Sequence, residues 1–242
     1  MNSNRTTSFT MLKNLALCTA CFALLLTSHA AAQTIDATGL TTTAVHISFT
    51  NLDSGDYYGS GNDDDFAEYG LTTFNISDAN VTAINSATLS VTYNDRTFTD
   101  GTQVEFMFTP DSATTLGGDF AALSYDATIE NGLNPAHYVT APVSLGVFPF
   151  DPGAEGGSTL MYDLDLSSAG ADMLAAVQNG TDFQIIVTAT AAADDITLSG
   201  VGNTFDPGDP MLSLSVDVVP EPNSVGLLGL GLLGMMTLRR RR

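Results

Sequence analysis

The sequence predicts an all-β fold, an antiparallel sandwich of two sheets with one short helix. Three observations carry this. Apolar and polar residues alternate in several short stretches, as in strands with one buried face. Clusters such as Asp151-Pro152-Gly153 and Asp206-Pro207-Gly208 break them at turns. One stretch alone changes to a helical period, from Ser168 as N-cap through Met173, Leu174 and Val177 to a stop at Gly180.

The cleanest strand is 86–93, with Ala87, Leu89, Val91 and Tyr93 on one face and Ser86, Thr88, Ser90 and Thr92 on the other. Val104, Phe106 and Phe108 repeat the pattern, as do Phe183, Ile185 and Val187, and finally Leu212, Leu214, Val216 and Val218. Further strands are expected over 44–50, 66–76, 136–147, 160–166 and 196–201. Many short strands with one-sided alternation define a sandwich rather than a parallel sheet.

Both ends of the chain read as addresses. Arg5 and Lys13 precede an apolar run over 15–27, and Ala30-Ala31-Ala32 before Gln33 offers a small-residue cleavage site. Residues 1–32 are thus a signal peptide, cut by signal peptidase after Ala30-x-Ala32. Both cysteines, Cys18 and Cys21, lie inside the apolar run, and Phe22 to Leu26 continues past them. That excludes a lipoprotein site and leaves the mature chain without a disulfide or a thiol nucleophile.

At the other end Pro220-Glu221-Pro222 is followed by Asn223-Ser224, an apolar run over 225–238 and four arginines, Arg239 to Arg242. As a helix the 14-residue run would cover about 21 Å, against a hydrocarbon core of about 30 Å. Four glycines weaken it further, and the arginines hold its far end in the cytoplasm. Such a segment rests in a bilayer as a temporary stop rather than a lasting anchor. This order of motif, short span and basic end resembles the PEP-CTERM sorting signal of exosortase-bearing Gram-negative bacteria, over 219–242. The resemblance implies that an exosortase cuts near Pro220, Glu221 and Pro222, releasing the domain to the cell surface or the exopolysaccharide matrix.

Between these addresses, 33–218 is long enough for one domain with a real core. From Asp36 to Glu221 there are 27 acids against Arg96, a formal −26. Such a surface repels phosphate backbones and excludes nucleic acid as a partner. It calls for screening by salt or by bound cations. The order of strands, with a 160–166 strand running into the helix and the Asn179-Gly180 turn, resembles the DNRLRE-type jelly roll, similar to carbohydrate-binding modules. The match departs at Thr73 and Asn75, where that family carries charge, and at Val177 and Gln178, where a tryptophan is usual.

Catalytic candidates are few. His46 and His137 are the histidines of the mature chain, and neither has a motif-level partner. His46, on the face opposite Val45, Ile47 and Phe49, reads as a surface strand residue; His137 reads as structural. With 27 acids, paired carboxylates arise by chance, so the chain is expected not to be an enzyme, with a polysaccharide-degrading activity as the outside alternative.

The loop 51–68 holds Asp53, Asp56, Asp63, Asp64, Asp65 and Glu68 among glycines. It is read either as a solvated acidic loop or as a calcium site, with Asp63 and Asp65 first and Asp53 and Asp56 beside them. In the same loop Tyr57 and Tyr58 are the candidates for stacking on sugar rings, with Tyr69, Tyr138 and Tyr162 as others; Tyr93 is expected in the core. The two functional readings are a structural matrix protein and a calcium-assisted polysaccharide-binding module.

Overall fold

The computed structural model describes residues 31–46, 52–53, 55–60, 68–94, 99–117, 120, 122–129, 131–190 and 195–219. The compact unit Ala32–Asp217 carries the fold. Its strands are β1 (Ala31–Thr38), β2 (Thr41–His46), β3 (Leu52–Asp53), β4 (Asp56–Ser60), β5 (Glu68–Phe74), β6 (Val81–Thr92), β7 (Gln103–Thr109), β8 (Val143–Pro149), β9 (Thr159–Leu164), β10 (Phe183–Ala189), β11 (Asp195–Ser199) and β12 (Met211–Val218). The helix α1 spans Gly170–Asn179. A small sheet runs β1-β12-β6-β9, and a large one runs β11-β4-β5-β10-β7-β8 with β2 and β3 attached through β5. The sandwich and its antiparallel pairing are as the alternation predicts.

The core forms where the inward residues of both sheets meet. Ala87, Leu89 and Val91 of β6 and Leu212, Leu214 and Val216 of β12 are buried, as are Val104, Phe106 and Phe108 of β7. Three rings tie the sheets together. Tyr162 of β9 lies 5.0 Å from Phe106 and 5.3 Å from Phe148, measured between ring centroids. Tilted pairs at this spacing add attraction beyond the area they bury.

β5 and β10 depart from one-sided alternation: every residue of each is buried. The cause is a third layer. The long connection 110–142 folds over the outer face of the large sheet, where Leu116, Phe120, Leu123, Tyr125, Leu133 and Tyr138 pack on Val45, Tyr69, Leu71 and Ile186. A connection this long is uncommon unless it packs as a unit, and here it forms a roof with its own core. Asp126 shapes its tip, accepting hydrogen bonds from Thr128 N at 3.0 Å and Asn134 Nδ2 at 2.8 Å.

The roof corrects one sequence expectation. The stretch 136–147 is not one strand, because Ala136 and His137 belong to a 3-10 turn, Pro135–His137, and β8 begins only at Val143. Asn134 caps that turn by accepting from Ala136 N at 3.0 Å. The helix also starts later than expected: its N-cap is Ala169, with no side-chain cap, rather than Ser168. Met173 and Val177 are fully buried and Gly180 closes the helix in the left-handed conformation, φ 62°, a backbone state glycine adopts without steric cost. The expected strand 44–50 is described only through His46, and β11 ends at Ser199 rather than 201.

Candidate functional site

The small sheet brings the two ends of the domain together. Gly39, just past β1, donates its N–H to Pro210 O at 2.7 Å, just before β12. Since β1 and β12 are neighbours in an antiparallel sheet, their other ends, the start of β1 and the close of β12, emerge on the same side. The close of β12 is pinned. Asp217 O accepts from Thr82 Oγ1 and Asp217 Oδ1 accepts from Asn85 Nδ2, both at 3.1 Å. Helix α1 braces the same end of β6 through Gln178 Nε2, which donates to Val81 O at 2.7 Å. Val219, the first residue past the strand, is 42 % exposed.

The sequence-predicted sites fall around this frame as follows. Ala32 and Gln33 are exposed in the first turn of the pleat of β1; Ala30 lies outside the described residues. Pro220, Glu221 and Pro222, the apolar run and the arginines also lie outside them, directly beyond Val219. Asp63 and Asp65 are outside as well, so the calcium candidates are represented only by the backbone of Asp53 in β3 and Asp56 in β4. Among the described residues no group of three or more His, Cys, Asp or Glu side chains is placed to hold a metal.

Tyr57 is a correction. It was expected to offer its ring to a sugar, yet it is fully buried, and its hydroxyl donates to Ile185 O at 2.9 Å. β4 pairs with β11, with Tyr57 opposite Leu198, so the acidic loop contains a strand whose alternate residue turns inward. The other tyrosine candidates meet the same fate: Tyr69, Tyr138 and Tyr162 are buried, as Tyr93 is in agreement with expectation. The side chain of Tyr58 is outside the described ones. Burial raises the tyrosine hydroxyls: Tyr125 and Tyr162 are pushed up to about 12, and Tyr57, Tyr69 and Tyr138 are raised by the same desolvation.

His46 is likewise not a plain surface residue. Its Nε2 stands 2.7 Å from Glu68 Oε2, with Glu68 nearly buried. The two are register partners across β2 and β5, so the pair is built into the sheet. His137 lies half-buried in the 3-10 turn of the roof.

A surface that sequence reasoning did not single out is the outward face of the small sheet. Ser86, Thr88 and Ser90 of β6 and Ser213 and Ser215 of β12 turn away from the core. Thr88 Oγ1 donates to Asp163 Oδ1 of β9 at 2.8 Å. This is a row of hydroxyls beside a carboxylate, able to exchange hydrogen bonds with a polar ligand. The alternation placed Ser86, Thr88, Ser90 and Thr92 on this face without giving it a role, and Thr92, at the end of β6, is buried instead.

The protein-family model described as the PEP-CTERM protein-sorting motif matches residues 218–242, which begin on the last residue of β12. The chain therefore carries the export and sorting motif of exosortase substrates, attached to a β-sandwich. No curated protein matches the chain. Among the described residues no helix is long and apolar enough to cross a membrane.

Proposed function

We propose that this chain is an exported, non-catalytic β-sandwich protein of a Gram-negative bacterium. Signal peptidase removes 1–32, the tail pauses in the inner membrane, and an exosortase releases the domain to the cell surface or the exopolysaccharide matrix. There the acidic domain acts as a structural component. The observation that carries this reading is the seam at Val218: the sorting motif starts where β12 stops. A domain joined to its signal with no intervening module has the tail as its membrane link, and cutting the tail frees the whole sandwich.

The experiment is fractionation of the native host with and without its exosortase. The domain is expected on the surface and in the matrix of the parent, and in the membrane fraction with its tail uncut in the mutant. Equal amounts of tail-bearing protein in both strains count against the proposal.

A second reading, a jelly-roll module that binds polysaccharide with calcium at 51–68, is favoured by the hydroxyl face of the small sheet. It no longer rests on Tyr57. Retention of the released domain on the host's polysaccharide, lost in Thr88→Val and Asp163→Ala, supports it; retention unchanged in both variants removes that face as the site.

A further inference from the structure

Met161 is an apolar residue set among polar ones. It lies on β9, an outermost strand of the small sheet that pairs with β6, and it is 69 % exposed. Its register partner is Ser90, with Thr88 opposite Asp163 on one side and Thr92 opposite Thr159 on the other. Paired residues share a face with Cβ atoms about 4.5 to 5.5 Å apart, so Ser90 and Met161 are direct neighbours. Tyr162 and Leu164 alternate to the opposite face and are buried. The packing of β9 onto the core therefore runs through them and not through Met161.

Sulfur in this domain is confined to methionine. Residues 33–218 contain no cysteine and four methionines, Met107, Met161, Met173 and Met211. Their burial differs widely. Met173 is fully buried in α1, Met107 is half-buried against the roof cluster, and Met211 is 38 % exposed at the start of β12. A thioether is oxidised where a two-electron oxidant can reach its sulfur. At Met173 that requires the fold to open, whereas at Met161 it does not.

We propose that Met161 is an oxidation site, converted to its sulfoxide by hydrogen peroxide while the sandwich stays folded. The sulfur attacks one peroxide oxygen, so that an S–O bond forms and the O–O bond breaks. Sulfur gives up two electrons, and the departing hydroxide takes the proton from the transferred hydroxyl and leaves as water. The sulfoxide is polar, and at this exposed position its oxygen stays in water, with the hydroxyl of Ser90 across the strand pair as a donor. Oxidation here thus brings no unsolvated polar group into the fold. The same change at Met173 would bury one without a partner from water. At Met161 it makes an apolar member of the row polar and leaves the packing between the sheets untouched. None of this depends on whether or where the tail is cut.

The test is timed exposure of the protein isolated from its host, tail cut or not, to hydrogen peroxide, followed by peptide mapping in the mass spectrometer. Met161 sulfoxide should form first and Met211 sulfoxide next, with Met173 at least about tenfold slower than Met161. The thermal midpoint should not move when Met161 alone is oxidised. A mixture of the two methionine sulfoxide reductases, one for each epimer, should return that residue to the thioether in the folded protein. In Met161→Leu the fastest phase of oxygen uptake should be missing and the midpoint unchanged. Equal rates at Met161 and Met173 overturn the proposal, and so does a midpoint that falls in step with oxidation of Met161.

Discussion

Asp111 accepts the backbone N–H of Val139 at 2.6 Å and that of Thr140 at 3.1 Å, closing the two ends of the roof on each other. The carboxylate is almost fully buried, and it supplies acceptors to amides that sheet pairing does not reach. Thr109, the last residue of β7, completes the closure by donating its hydroxyl to Thr140 O at 3.1 Å.

Replacing Asp111 by alanine takes the acceptor from both amides of a part-buried site. The loss is expected to be about 2 to 3 kcal/mol, read as a lower urea midpoint. Asparagine, which keeps one acceptor oxygen, should recover part of it. Equal stability of parent and alanine variant would show that the roof is not held there.

Tyr57 offers a sharp contrast between packing and recognition. Tyr57→Phe removes the hydrogen bond to Ile185 O and should cost about 1 kcal/mol; Tyr57→Ala empties the core and should cost about 3 to 5 kcal/mol. Neither is expected to alter polysaccharide retention by protein that remains folded. A selective loss of retention in the phenylalanine variant, at parental stability, would return this residue to the ligand.

The domain should be sensitive to alkali. Burial raises the hydroxyls of Tyr125 and Tyr162 from about 10 to about 12. Above pH 10 the unfolded chain gives up these protons while the native state still holds them. Stability conferred by the neutral, buried hydroxyls is therefore complete below about pH 10 and is lost as pH rises towards 12. Thermal melts across pH 8 to 12 should show the midpoint falling in that window, in step with tyrosinate absorbance. A flat midpoint to pH 12 would contradict the burial.

Gly180 is expected to resist substitution. A Cβ there would stand 2.6 Å from Ser77 Oγ, and the backbone is left-handed. Gly180→Ala should lower stability by about 1 to 2 kcal/mol. The pair Gly180→Ala with Ser77→Gly should recover the steric part alone, which a double-mutant cycle in urea can separate.

The amphipathic half of the fold was legible because alternation is a direct record of one buried face. Leu89, Val91, Phe106 and Leu214 lie where their spacing put them. β10 was legible as a strand but not as one covered on both sides, since Gln184 and Thr188 read as outward-facing and are fully buried beneath the roof. The roof itself has no period, because its order comes from contacts with Tyr69 and Ile186 that are distant in sequence. β1 escaped notice for a related reason: its residues are mostly small, polar and exposed, and pairing with β12 rather than pattern makes them a strand.

The acidic loop was misleading in a specific way. Its charge and glycines announce solvent, yet Tyr57 within it is a core residue, because β4 turns one side chain in against Ile185. The contact of His46 with Glu68 was hidden by the gap between two strands whose register no local signal fixes. At the tail the reverse holds: the sorting motif is legible in the order of its composition alone.

The side-by-side exit of the two ends also sets how the domain answers to force. A pull applied between them loads the β1–β12 ladder from one tip, so that bonds open in succession like a zipper rather than resisting together in shear. Held at one end alone, the sandwich bears no such load. Held at both, it would yield at its outermost strand first and extend before its core gives way.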